Sequence, residues 1–153
     1  MLSLPTSAAL PEWSARLPLR RRSRSVVENW AMDQSDRRLV LIVEDEAIIA
    51  VNLQDEFQDA GFKVAGPFTT CAAALEWLRN ATPHAAVLDS MLSDGACRDI
   101  ARDLSRRNVP FLVYSGHRSD DALRAEFPTV PWIEKPAPSA ALIEACQSLI
   151  GLR

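Results

Sequence analysis

Residues 39–46 read Leu39-Val40-Leu41-Ile42-Val43-Glu44-Asp45-Glu46. Five consecutive aliphatics with β-branched members suit a strand buried on both faces, since a half-exposed strand would alternate apolar with polar. Three acids end the run abruptly and put charge at its carboxyl end. Ile49, Leu53, Phe57 and Ala60 then recur at helical spacing over residues 46–60, and Gly61 supplies a stop. The same unit repeats along the chain. Residues 63–67 read as a strand and 70–80 as a helix capped by Thr69 or Thr70. Ala85-Ala86-Val87-Leu88 is a buried strand ending at Asp89, and Gly95-Ala96 opens a helix running to about Arg107. Residues 110–114 form a strand ending at Ser115-Gly116, followed by a short helix over 119–126. A strand over 130–133 ends at Glu134-Lys135-Pro136, and a helix over 139–150 closes the chain.

Five strands alternating with five helices imply a parallel sheet with helices on both faces and right-handed connections. Five strands are too few for an eight-stranded barrel. The expected fold is α/β, an open doubly wound five-stranded sheet, and such sheets bind ligands beyond the carboxyl ends of their strands.

Composition agrees with a folded domain: 48% of the 153 residues are hydrophobic and 24% charged. The longest aliphatic run falls far short of the about 20 residues of a membrane span, so no membrane association is expected. Cys71, Cys97 and Cys146 lack C-x-x-C spacing, which excludes a disulfide scaffold and a zinc finger. They fit small buried hydrophobes in a reducing compartment, and the expected location is cytoplasmic. The net charge of −3 conceals an uneven distribution. Arg16, Arg20, Arg21, Arg22 and Arg24 make residues 1–31 basic, and the remainder is acidic. The expected division is a disordered basic extension over 1–37 and one domain over 38–153. The extension reads as a targeting arm, a phosphate-binding arm or a segment upstream of a true start at Met32. Its arginines follow the mildly apolar stretch that Pro5, Pro11 and Pro18 interrupt, unlike a secretory signal.

The residues ending the strands carry the chemistry. Glu44 and Asp45 end the first, Asp89 the third, Ser115 the fourth and Lys135 the fifth. Singly, each has an ordinary reading: Asp45 as a helix cap, Ser115-Gly116 as a turn. Together they converge three carboxylates, a hydroxyl and an ammonium on one sheet edge. Clustered carboxylates repel and invite a hard divalent ion such as Mg²⁺. A carboxylate beside Mg²⁺ and a lysine can act as a nucleophile toward phosphorus, giving an aspartyl phosphate. Ser115 and Lys135 would then meet the phosphoryl oxygens.

Val43-Glu44-Asp45-Glu46, Val87-Leu88-Asp89, Leu92-Ser93-Asp94-Gly95, Tyr114-Ser115-Gly116 and Glu134-Lys135-Pro136 together resemble the receiver domain of two-component response regulators. The resemblance covers residues 38–152 and implies the flavodoxin-like strand order 2-1-3-4-5. It implies Asp89 as phosphoacceptor and Mg²⁺ held by Glu44, Asp45, Asp89 and the backbone carbonyl of Met91. Lys135 and Ser115 would assist the transfer, and Lys135–Pro136 would be cis. The chain departs from the family pattern in places. Ser93 stands where proline is usual, Trp132 stands where tyrosine or phenylalanine is usual, and the short 115–135 segment implies an abbreviated or shifted fourth helix. His84 is expected to be exposed, and His117 is placed to gate the acidic edge.

The resemblance implies a receiver that takes a phosphoryl group from a histidine kinase or phosphotransfer protein. It would signal through a protein partner on the surface around Trp132, without direct DNA binding. The chain would not be an enzyme beyond Mg²⁺-dependent self-phosphorylation and slow autodephosphorylation. The alternative is a phosphorylation-independent interaction module of the same fold, which the intact acids and Lys135 disfavour. A phosphatase-type hydrolase would want a second acid two residues past Asp89, where Met91 stands.

Overall fold

The first strand, β1 (Leu39–Val43), sorts its side chains by parity. Leu41 and Val43 enter one apolar cluster, and Val40 and Ile42 the other, so β1 faces a core on each side of the sheet. Full burial of each aliphatic side chain contributes roughly 1.5–3 kcal/mol. The computed structural model describes residues 37–116 and 121–151. The expectations for residues 1–36 and for His117 lie outside the described residues.

The remaining elements are α1 (Ala47–Asp59), β2 (Lys63–Phe68), α2 (Cys71–Leu78), β3 (Ala85–Leu88), β4 (Met91–Leu92), β5 (Gly95–Ala96), α3 (Arg98–Arg106), β6 (Phe111–Ser115), α4 (Asp121–Glu126), β7 (Trp132–Glu134) and α5 (Ser139–Ile150). The five-stranded parallel sheet runs β2-β1-β3-β6-β7. With the β4–β5 ribbon set aside, this is the flavodoxin-like order 2-1-3-4-5. Leu53 and Phe57 of α1 and Leu142 and Cys146 of α5 pack in one cluster. Ala74 and Leu78 of α2, Ile100 and Leu104 of α3 and Leu123 of α4 fill the other.

Local chemistry explains the element ends. Thr70 caps α2 by accepting from the Ala73 amide at 3.1 Å. Asp94 caps the same helix from a distance, its carboxylate accepting from Cys71 N at 2.8 Å and Ala72 N at 3.1 Å. Residue Glu46, not Asp45, occupies the N-cap position of α1, and its side chain makes no capping bond. Gly66 has φ +96°, and a Cβ there would lie 2.7 Å from the Ile42 carbonyl oxygen. Glycine therefore permits the close approach of β2 to β1 where their register shifts.

Gly95-Ala96 does not open a helix. Gly95 has φ +131°, outside helical backbone, and the pair hydrogen-bonds antiparallel to Met91–Leu92 as a small ribbon. Helix α3 starts only at Arg98. Among the described residues, helix α4 spans six residues. His84 is exposed, yet its Nδ1 accepts from the Leu39 amide at 2.9 Å and fastens the entry of β1. Among the described residues, no helix is long and apolar enough to cross a membrane.

Candidate functional site

Glu44, Asp89 and Lys135 are each fixed by a backbone bond to the neighbouring strand. Glu44 N donates to the Phe68 carbonyl beside β1, and Asp89 N to the Val43 carbonyl beside β3, both at 2.9 Å. Lys135 N donates to the Ser115 carbonyl at 3.0 Å. The parallel ladder thus continues one residue past the strands and sets these side chains at one level.

There the Lys135 ammonium meets three carboxylates. Its Nζ lies 2.6 Å from Glu44 Oε2, 3.1 Å from Asp89 Oδ2 and 3.2 Å from Glu46 Oε1. Glu44 is 1% exposed, and its other oxygen accepts from the Glu46 amide. Asp89 is 6% exposed, and its Oδ1 accepts from the Met91 amide at 3.2 Å. Burial raises the Glu44 pKa, outweighing the Lys135 pairing that opposes it. Burial alone would lower the Lys135 pKa, but the hydrogen bonds it donates to Glu44 and Asp89, and their charges, hold it above its usual 10.5. The ammonium stays charged throughout the physiological range.

Of the residues expected from sequence, Glu44, Asp89 and Lys135 are in direct contact. Oxygens of Glu44, Glu46 and Asp89 lie within 4.8 Å of one another. Half-buried Asp45 is not part of that cluster; the exposed Glu46 carboxylate is. Met91 follows the turn after Asp89, with its side chain exposed. Ser115 is fully buried at the end of β6, with its Oγ 2.6 Å from Ser90 Oγ.

Three contributors escaped the sequence reading. Glu46 looked like the start of a helix. Ser90 was not singled out, although a polar side chain directly after a buried strand was a usable signal. Tyr114 packs its ring 5.4 Å from Lys135 Nζ, and its hydroxyl accepts from the Ala137 amide at 3.2 Å. It thereby fastens the turn after Lys135, where the Lys135–Pro136 bond is cis as the resemblance implied. The Gly66–Pro67 bond is cis as well.

Trp132 is half-buried against the core, and the Arg124 guanidinium of α4 sits 4.2 Å from its ring centroid. Cys97 and Cys146 are buried, as expected; Cys71 is only partly so. Burial pushes the Cys71 thiol up to about 11, and the Asp94 charge adds to this, so it is not an activated thiol. A groove of about 600 Å³ between Leu75, Arg102 and Phe127 includes none of the edge residues.

The family model described as "Response regulator receiver domain" matches residues 40–147. No curated protein matches the sequence. Among solved structures, a response regulator receiver protein from Sinorhizobium medicae WSM419 is similar, with 28% identity and a TM-score of 0.69 over 76% of this chain and 97% of that one. SdrG from Sphingomonas melonis Fr1 shares 31% identity with a TM-score of 0.64, over 74% of this chain and 97% of its own. A CheY-like receiver domain protein from Methanospirillum hungatei JF-1, at 18% identity and a TM-score of 0.68 over 75% and 94%, shares the fold.

Proposed function

Because the chain belongs to the response regulator receiver domain family, we propose that it accepts a phosphoryl group on Asp89 from a phosphohistidine of a kinase or phosphotransfer protein and signals through a protein partner. The observation that carries this reading is the Lys135 ammonium held between Glu44 and Asp89 in a nearly closed site. An Asp89 oxygen attacks phosphorus, the P–N bond breaks, and its electron pair stays on the departing imidazole. Lys135 already touches Asp89 and has only to keep its place to pair with a phosphoryl oxygen. Exposed Ile48 and Met91, close in sequence to Glu46 and Asp89, offer apolar surface to a protein donor. The chain is then an acceptor with slow self-hydrolysis, not a turnover enzyme.

The donor set fits a hard divalent ion, since the clustered groups are all carboxylates with no thiolate or imidazole among them. Glu44 and Asp89 would hold Mg²⁺, with Asp45 and the Met91 carbonyl as the further ligands that the family resemblance implies. When bound, Mg²⁺ would neutralise charge on the phosphoryl oxygens.

The test is incubation with a small phosphodonor, with and without Mg²⁺, followed by intact mass measurement. We expect a Mg²⁺-dependent adduct in the wild type and none in Asp89→Asn. An adduct that persists in Asp89→Asn would overturn Asp89 as the acceptor, and no adduct in the wild type would favour a phosphorylation-independent module.

A further inference from the structure

The residue directly after Asp89 carries a buried hydroxyl paired with that of Ser115. Ser90 and Ser115 are both 0% exposed, and their Oγ atoms are 2.6 Å apart. They come from the ends of β3 and β6, strands paired side by side through Leu88 and Val113. The Ser90 carbonyl is held too, accepting from the Cys97 amide at 3.2 Å, so the residue is anchored from both its backbone and its side chain.

Each hydroxyl owns one proton. In a close pair, one oxygen donates and the other accepts. If Ser115 donates to Ser90, its proton is spent. If Ser90 donates to Ser115, the Ser115 proton is released to point elsewhere. With no exposed surface on either residue, bulk water does not scramble the two orders. A phosphoryl group on Asp89 brings about −1.5 to −2 charge and strong acceptor oxygens beside the pair. That charge selects the order in which protons point at it, and a hydrogen bond to a charged acceptor strengthens the one behind it.

We propose that Ser90 is a positioning residue for phosphoryl transfer, which donates to Ser115 so that the Ser115 hydroxyl is oriented toward the phosphoryl oxygen. This rests on the phosphoacceptor reading above and adds to it a residue next to the acceptor. Ser90 touches neither donor nor phosphorus; it acts through Ser115.

The experiment is a double-mutant cycle on the initial rate of Asp89 labelling by a small phosphodonor with saturating Mg²⁺. Ser90→Ala should slow labelling by about fivefold, the scale of one net hydrogen bond. In a Ser115→Ala background, Ser90→Ala should have no further effect, because its only route to the phosphoryl group is gone. Ser90→Thr, which keeps the hydroxyl, should restore the rate in the Ser115 background. Melting temperatures of all variants separate loss of fold from loss of rate. Equal slowing by Ser90→Ala in both backgrounds would overturn the proposal, as would an unchanged rate in the Ser115 background. Absence of labelling in the wild type would instead overturn the phosphoacceptor reading, and this proposal with it.

Discussion

At the scale of single residues, the site depends on side chains that serve backbone groups as much as on those facing the chemistry. Asp94 lies on the surface, in the turn between β4 and β5, and takes two amides of a helix start that is 23 positions away in the chain. Those two bonds, first from Cys71 N and then from Ala72 N, hold its pKa below the usual 3.8. A lowered carboxylate pKa contributes stability above the unfolded value and loses it as pH falls through the folded value. Asp94→Ala should therefore melt lower than the wild type at pH 7. The gap should stay constant down to about pH 4 and close below it as the wild-type carboxyl protonates. A gap independent of pH down to acid unfolding would show that the charge on Asp94 plays no part. Because Asp94 also closes the ribbon beside Asp89, the same variant should loosen the loop that carries Met91.

At the scale of elements, β7 and α4 lead outward from Lys135. Trp132 lies three residues before the lysine and is covered on one side by Arg124. An Arg–aromatic contact at a partly exposed site contributes about 0.5–1 kcal/mol, small enough for a charge at Asp89 to shift it. A phosphoryl group that pulls Ser115 and Lys135 inward would favour one packing of β7 against α4 over another, limited by its differential contacts with the two states. We expect labelling to change Trp132 emission in a protein with Trp13, Trp30 and Trp77 replaced by phenylalanine, and Ser115→Ala to abolish the change while Asp89 is still labelled. Unchanged emission in the labelled single-tryptophan protein would mean that output leaves by another face. The elements that position this route differ in how far they could be read beforehand. Strand β3 was legible to the residue because Ala85–Leu88 is apolar on both parities and a charge ends it. The β4–β5 ribbon was not, because Met91–Leu92 and Gly95–Ala96 are only two residues each and carry no period. The Asp94 cap on α2 was hidden for another reason: capping patterns are local in sequence, and this one is tertiary.

At the scale of the whole molecule, folding is what creates the carboxylate cluster. Glu46 and Lys135 are 89 positions apart, and Asp89 and Lys135 are 46 apart. That Glu44, Asp89 and Lys135 gather was legible in the chain, because alternating strands and helices send every strand end to one edge. How they share charge was not: the sequence pointed to Glu44 with Asp45, whereas the described cluster joins Glu44, Glu46 and Asp89 around one ammonium. Parity along an irregular loop does not follow the strand that precedes it. The arrangement makes Lys135 and a divalent cation rivals for the same oxygens. Removing the ammonium, as in Lys135→Met, leaves the buried Glu44 and Asp89 carboxylates without their counter-charge, and breaking such a pair from one side costs roughly 3 kcal/mol. Mg²⁺ that binds only the folded chain returns stability by mass action, about 2.7 kcal/mol at a hundred times its dissociation constant. Mg²⁺ should also bind more tightly where no ammonium competes. The variant should therefore unfold at lower urea than the wild type in chelator, and the difference should shrink steadily as Mg²⁺ is titrated in. A difference that stays the same at every Mg²⁺ concentration would show that the carboxylates around Lys135 are not the ones that hold the ion.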